Sequence, residues 1–170
     1  GGVFVRNTNK GGYYGTPHVE ELINSLKGVA GGGWYIGDVS LEHGGDIRNH
    51  ASHEAGVDAD ISLPTIDRDG MSTRASDRSG WGFRNIRPKQ MDYDRTVEFL
   101  RKTASRASSV LLDPMFFPGI KAKMDELLAS GNMSAAEYKR ISGVNPSSGG
   151  RRVDRSWRRI SNHWGAGLLK

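Results

Sequence analysis

The chain has 170 residues, a formal net charge of +5, 36% hydrophobic residues and 23 glycines. This length fits one domain, and we predict a single loop-rich domain over residues 1–170. Because the chain has no cysteine, disulfides and thiolate metal sites are excluded. No run of about 18 apolar residues is present, so we expect no transmembrane segment in this sequence.

The first third of the chain predicts a helix followed by a strand. The helix should begin at Pro17, with Thr16 as a cap, and end near Lys27, because apolar residues recur at helical spacing and proline is favoured in the first turn. A run of glycines then ends it. Residues 34–39 are aromatic and β-branched, which predicts a strand.

A second strand is predicted at residues 57–63. Apolar residues alternate there with Asp58, Asp60 and Ser62, so the acids should share one face and the apolar residues the other. The polar stretch that follows, residues 64–91, is predicted to be a loop, and loops longer than about 15 residues are often functional.

The second half predicts three helices and one short strand. The helices are predicted at residues 93–108, 120–128 and 134–141, and the strand at residues 110–112. Ser134 and Glu137 form a capping box at the start of the third helix. The mixture of elements predicts an α+β domain.

Two further segments are predicted near the end of the chain. Residues 145–150 are predicted to be a flexible break that is too short to separate domains. Residues 153–163 are predicted to be a basic helix or an extended arm.

The residues richest in chemistry are the eleven from His50 to Asp60, which include two of the five histidines and three acids. Histidines three residues apart in a turn can point the same way, and Gly56 allows the backbone to bend after them. This spacing can bring His53 against Asp60, and imidazole and carboxylate are both ligands of Zn²⁺. The alternative is that the histidines cap a loop and that the acids are solvated.

Other functional signatures are missing from the sequence. His53-Glu54 begins like the zinc-binding helix motif H-E-x-x-H, but residue 57 is valine, which excludes that class. No nucleophile elbow, Walker loop or dinucleotide fingerprint occurs. Arg151 to Arg159 would suit nucleic acid, yet aromatic residues hardly interleave with these arginines, so we expect no nucleic-acid partner. A basic surface also suits an acidic cell wall.

Three strings in this sequence together resemble a known family. They are Gly37-Asp38-Val39-Ser40, His50-Ala51-Ser52-His53 and Gly56-Val57-Asp58-Ala59-Asp60-Ile61. The order resembles the penicillin-insensitive murein endopeptidases, and the likeness covers most of residues 1–125. These enzymes belong to a wider group of zinc peptidases with a His-x6-Asp motif. That group includes the D-Ala-D-Ala dipeptidases and carboxypeptidases and the hedgehog signalling domain.

The resemblance implies a fold and a set of site residues. The fold would be a small central antiparallel sheet flanked by helices. A Zn²⁺ ion would be held by His53 and Asp60, with His50 beside the metal. Because Asp58 shares a face with Asp60, it is a candidate to orient a ligand histidine, the alternative being a solvated acid. Ser40 lies in the family's Gly-Asp-x-Ser string near the mouth of the cleft, where it would either contact the substrate or serve as a turn residue.

The resemblance also implies a reaction and a location. The protein would hydrolyse the peptide cross-links of peptidoglycan, at the amide between D-alanine and a diamino acid, by means of a metal-activated water. The implied location is the periplasm or the cell exterior. Residues 1–6 carry no signal-peptide pattern, and the chain does not begin with methionine, so we expect a processed chain or a fragment.

One part of the family pattern is not found in this sequence. The third zinc ligand of the family is a histidine in a C-terminal His-x-His strand, whereas the only histidine near the end of this chain is His163. We favour truncation as the explanation. The alternatives are that His163 substitutes in the site, or that the protein is a catalytically inactive cell-wall-binding domain on the same fold. Without that strand, the central sheet should have an open edge.

Overall fold

The computed structural model describes residues 3–5, 14–31, 34–43, 45, 56–61, 64–66, 87–107, 110–142 and 167–169. The helices are α1 (Pro17–Ser25), α2 (Tyr93–Thr103), α3 (Phe117–Ala129) and α4 (Ala135–Ser142), and the strands are β1 (Val3–Val5), β2 (Trp34–Ile36), β3 (Ala59–Ile61), β4 (Val110–Leu111) and β5 (Gly167–Leu169). Short 3-10 helices cover Leu26–Gly31, Pro88–Gln90 and Pro114–Phe116. This mixture agrees with an α+β domain. Within the described ranges, every helix is too short or too polar to span a bilayer.

The five strands form one sheet in the order β1-β2-β3-β5-β4. β1 and β2 are parallel, and the other three pairings are antiparallel. The prediction of an antiparallel sheet is therefore wrong for the pair at one edge. The parallel pairing of β1 and β2 follows from their connection. Parallel neighbours need a long, usually helical, crossover, and α1 lies between these two strands in the chain.

β5 lies between β3 and β4 and is antiparallel to both. Leu168 is opposite Asp60 on one side and opposite Leu111 on the other. The main chain of residues 167–169 thus covers the flank of β3, and the open edge expected from the missing His-x-His strand stays a prediction. The strand contains no histidine, and its three residues belong to no longer alternating run of the kind that predicted β3.

Helix α2 covers one face of the sheet. The ring centroid of Phe99 lies 5.0 Å from that of Trp34, and the Arg95 guanidinium lies 5.3 Å from the Trp34 centroid, within the range of a cation–π contact. Ile36 and Ile61 lie opposite each other in the sheet, and both are buried in the same core. The core face of the sheet is thus the face that carries these apolar side chains.

Local side-chain bonds set several helix ends. The Asp92 carboxylate accepts from the Arg95 N–H at 3.1 Å and caps α2, which ends at Thr103 and not at residue 108 as predicted. Thr16 occupies the cap position of α1, but its side chain makes no capping bond. The capping box of α4 is confirmed, with Glu137 N–H to Ser134 Oγ at 3.1 Å and Ser134 N–H to Glu137 Oε2 at 3.0 Å.

Helix α3 begins three residues earlier than the sequence predicts. Asp113 accepts from the Met115 N–H at 2.9 Å and starts a 3-10 turn that leads directly into Phe117. Pro118 then occupies the first turn of α3, where its missing N–H is not needed.

The ends of the long polar stretch, residues 64–91, meet each other. Thr65 pairs with Met91 in an isolated antiparallel bridge. The Ile66 N–H donates to Gln90 O at 2.9 Å, and the Asp92 N–H donates to Pro64 O at 2.9 Å. The part of this stretch between residues 67 and 86 lies outside the described residues, as do the predicted break at 145–150 and the predicted arm at 153–163.

Candidate functional site

Three separate segments of the chain meet at the start of β3. The Thr16 N–H donates to Gly56 O at 2.8 Å, and the Tyr14 N–H donates to Ser40 O at 3.0 Å. Gly56 has a φ of +68°, a conformation that glycine adopts without steric cost. A β-carbon at this position would lie 3.3 Å from the Thr16 nitrogen, so the close contact also favours glycine. The turn that leads into β3 is therefore determined by the glycine at position 56 and by its hydrogen bond with Thr16.

The acids that follow this turn are buried. Asp58 is 5% exposed and Asp60 is 7% exposed. Ala59 and Ile61 belong to the apolar core, so alternation along β3 places the two carboxylates on the opposite face. The two acids are therefore not solvated. Burial of a carboxylate is unfavourable without polar or metal partners, and such positions are typical of structural ion pairs and of ligand sites.

The main chain of Asp60 is held from both sides. Toward β2, its carbonyl accepts from the Gly37 N–H at 2.7 Å and its N–H donates to Asp38 O at 2.9 Å. On the other side, Asp60 lies opposite Leu168 of β5. A side chain on such a central strand has a well-defined direction, which suits a group that must hold a ligand.

Ser40 lies close to this site, but the hydrogen bond of its side chain is local. It is 1% exposed, and its hydroxyl donates to Leu41 O at 3.2 Å. Its carbonyl accepts the bond from Tyr14 described above. These contacts are those of a residue that stabilises a loop, and substrate contact by Ser40 stays a prediction.

The histidines predicted for the site, His50, His53 and His163, lie outside the described residues. Their approach to Asp60 therefore stays a prediction. Among the residues that the structure does describe, no group of three or more His, Cys, Asp or Glu side chains could hold a metal ion. Of the predicted site, the structure thus describes Asp58, Asp60 and Ser40, and it brings all three to the region around the start of β3.

The other described histidines lie away from this arrangement. His18 has its Nε2 atom 2.9 Å from Arg106 O, beyond the end of α2, and His43 is exposed in a loop. Their bonds and exposure suit surface residues.

Sequence reasoning missed two features beside the acids. Tyr14 and Val57 are exposed apolar side chains, at 37% and 48%, and both are in segments bonded to the site. Asp38 was not singled out, although its carbonyl binds the N–H of Asp60. The string Gly37-Asp38-Val39-Ser40 was the available signal for Asp38, because a glycine followed by an acid is unusual inside a strand.

The family model of the penicillin-insensitive murein endopeptidases matches residues 3–124 of the chain. The chain belongs to this family. The match contains every segment of the site described above and ends within α3, so α4 and β5 lie beyond it. Among curated proteins, the comparison found no match. As its name states, the family is one of murein endopeptidases, and the chain is thereby placed among the peptidases.

Proposed function

We propose that the protein is a zinc-dependent endopeptidase that hydrolyses peptide cross-links of peptidoglycan. The observation that carries this proposal is the family match over residues 3–124, which includes the buried Asp60 on a central strand. The proposed bond is the amide between D-alanine and a diamino acid, and the proposed place of action is outside the cytoplasm. The net charge of +5 would favour adsorption to an anionic wall.

The donor chemistry of the site fits a zinc ion. Asp60 offers a buried carboxylate, and His53 and His50 precede it by seven and ten positions. Carboxylate oxygen and imidazole nitrogen both bind Zn²⁺ at about 2.0–2.2 Å. Gly56, with its positive φ, supplies the change of chain direction that would allow His53 to approach Asp60.

Each residue has a separate part in the proposed reaction. Zn²⁺, when bound, polarises a carbonyl and makes water a stronger nucleophile near neutral pH. Asp60 and His53 would hold the ion, with His50 beside it. Asp58 shares the face of Asp60 and would orient a ligand histidine by accepting its second N–H, which is a common arrangement around metals. Burial of both acids keeps bulk water from weakening these electrostatic interactions.

A catalytically inactive cell-wall-binding domain is the second candidate. The observation that favours it is the sequence of β5, Gly167-Leu168-Leu169, which lies directly beside β3 and offers no imidazole to the site. This candidate predicts binding to peptidoglycan without hydrolysis, with or without zinc.

Digestion of purified cross-linked muropeptides tests the proposal. We expect the 170-residue chain to release few uncross-linked products and a chain with an added C-terminal His-x-His strand to release many. In that extended chain, a chelator, His53→Ala and Asp60→Asn should each abolish the release. Asp94→Asn is the matched control, because Asp94 is an exposed acid on α2 that pairs with Lys123. Hydrolysis that survives both chelation and Asp60→Asn would reject a metal mechanism. Co-sedimentation with intact peptidoglycan, without any hydrolysis, would support the binding domain.

A further inference from the structure

The pairing of β2 with β3 becomes irregular immediately after Ile36. Ile36 lies opposite Ile61, so in a regular antiparallel ladder Gly37 and Asp60 would exchange both of the next hydrogen bonds. The Gly37 N–H does donate to Asp60 O, at 2.7 Å. The Asp60 N–H, however, donates to Asp38 O, at 2.9 Å. Two residues on one strand therefore face a single residue on the other, which is the arrangement of a β-bulge.

The burial of side chains along this segment supports the bulge independently. Trp34 and Ile36, two positions apart, are both buried in the core, and the next core residue is Val39, three positions further on. Strict alternation from Ile36 would instead send residue 38 into the core. One extra residue shifts the alternation by one, so Val39 enters the core and Asp38 turns away from it, where it is half-buried.

The face to which Asp38 turns is the face of Asp60. Directly opposed residues share a face, so Ile36 and Ile61 both define the core side of the sheet. Asp60 is next to Ile61 and therefore occupies the other side. The bulge places Asp38 on that same side, directly beside Asp60.

We propose that the bulge at residues 37–38 orients the candidate site, with Asp38 as a positioning residue for Asp60 and its zinc ion. The inference rests on the proposed function, because it assigns a role in metal binding. Bulges re-aim neighbouring side chains and occur preferentially next to active sites. The Asp38 main chain holds Asp60 by a hydrogen bond, and the Asp38 carboxylate, on the same face of the sheet, would accept an N–H from a ligand imidazole. Outer partners of this kind contribute about 10- to 100-fold to metal affinity.

Two variants separate the bulge from the carboxylate. Deletion of Asp38 leaves Ile36 and Val39 two positions apart, so the core alternation is kept while the bulge is lost. Asp38→Asn keeps the bulge and removes only the charge. Asp38→Glu restores the carboxylate, and Asp94→Asn serves again as the matched control. For each full-length variant, we would measure the midpoint of thermal unfolding without metal and the zinc affinity by competition with a chromophoric chelator.

The expected result is a loss of zinc affinity without a matching loss of stability. The deletion should weaken zinc binding about 100-fold and Asp38→Asn about 10-fold, with unfolding midpoints close to that of the wild type. Asp38→Glu should recover part of the affinity, and Asp94→Asn should leave it unchanged. A purely structural role would change the midpoint and would show no recovery by the glutamate.

The outcomes distinguish this inference from the proposal on which it rests. Zinc binding as tight as the wild type in both Asp38→Asn and the deletion variant would overturn the inference alone. A wild-type chain that binds no zinc would refute the proposed function and, with it, the inference. If the deletion variant fails to fold, the zinc affinity of Asp38→Asn alone tests the inference. An affinity of Asp38→Asn equal to that of the wild type would then overturn the role of Asp38.

Discussion

The ring of Tyr93, at the start of α2, occupies the space where a side chain on Gly119 of α3 would have to lie. A β-carbon built on Gly119 comes 2.1 Å from Tyr93 Cζ and 2.5 Å from its hydroxyl oxygen. The two helices therefore pack tightly at a residue that has no side chain. Burial of the ring also raises the pKa of Tyr93 above its usual value.

Gly119→Ala should destabilise the protein by about 1–3 kcal/mol, because the new methyl group must displace the aromatic ring. This loss opposes the gain of up to about 1 kcal/mol that alanine normally gives in a helix. Gly28→Ala is the control, since no atom lies within 4 Å of the position that its new β-carbon would take. Thermal and urea unfolding measure the stability of both variants. A Gly119→Ala protein at least as stable as the wild type would contradict the close packing.

Gly56→Ala should reduce both stability and zinc affinity. Alanine at a φ of +68° loses about 1–2 kcal/mol, and its methyl group would press on the Thr16 nitrogen. Gly131→Ala is the matched control, because Gly131 has a similar φ of +75° with open space around it. We expect equal backbone strain in the two variants, but weaker zinc binding only in Gly56→Ala. Equal zinc affinities would show that this turn does not orient Asp60.

The capping box of α4 should contribute to stability in a pH-dependent way. The Ser134 N–H, and then Arg101, hold the pKa of Glu137 below its usual value. The folded state thus favours ionised Glu137, so its stabilising effect is present above the ordinary glutamate pKa of about 4.3 and is lost as the pH falls through the lower, folded value.

Variants of the same box test that contribution by urea unfolding at neutral and acidic pH. Ser134→Ala should lose about 1 kcal/mol at neutral pH, while Ser134→Thr should keep the cap. Glu137→Gln can still accept from the Ser134 N–H but loses the charge that pairs with Arg101 at 2.9 Å. Its stability should therefore vary less with pH below about 5 than that of the wild type. A wild-type-like acid response in this variant would refute the assignment to Glu137.

Zinc should stabilise the full chain, since a ligand that binds only the folded state raises its stability. At a free concentration 100 times the dissociation constant, the gain is about 2.7 kcal/mol. Asp60→Asn should show no such gain, and chelation should return the wild type to its own metal-free midpoint. Calorimetry with and without the ion measures the difference. An equal zinc-induced rise in Asp60→Asn would show that the ion binds elsewhere.

The sequence predicts those elements whose signals are local. The capping box at Ser134 marks the start of α4, and the structure confirms it. Alternation around Asp60 correctly indicates the strand β3. The strands β1 and β5 are as short as β3 but lie in no longer alternating run, and their pairing depends on residues distant in sequence.

The sequence predicts those parts of the site that are marked by residue type or by the family pattern. The string from Gly56 to Ile61 indicates both the turn and the acids, and the family match agrees with it. The role of Asp38 could not be inferred from alternation, because a bulge changes the period within the strand. The end of the 34–39 strand is mispredicted for the same reason, since regular pairing stops at Ile36.

The position of β5 imposes an order on the assembly of the sheet. Ala59 pairs with Leu169, so β3 stays half-paired during synthesis until more than a hundred further residues have been added. β4 reaches the other strands only through β5. Contacts so distant in sequence form slowly, which makes closure a late event in folding. A protease that cut the chain ahead of Gly167 would sever β5, so β4 would lose its partner in the sheet and the flank of the strand that carries Asp60 would be uncovered.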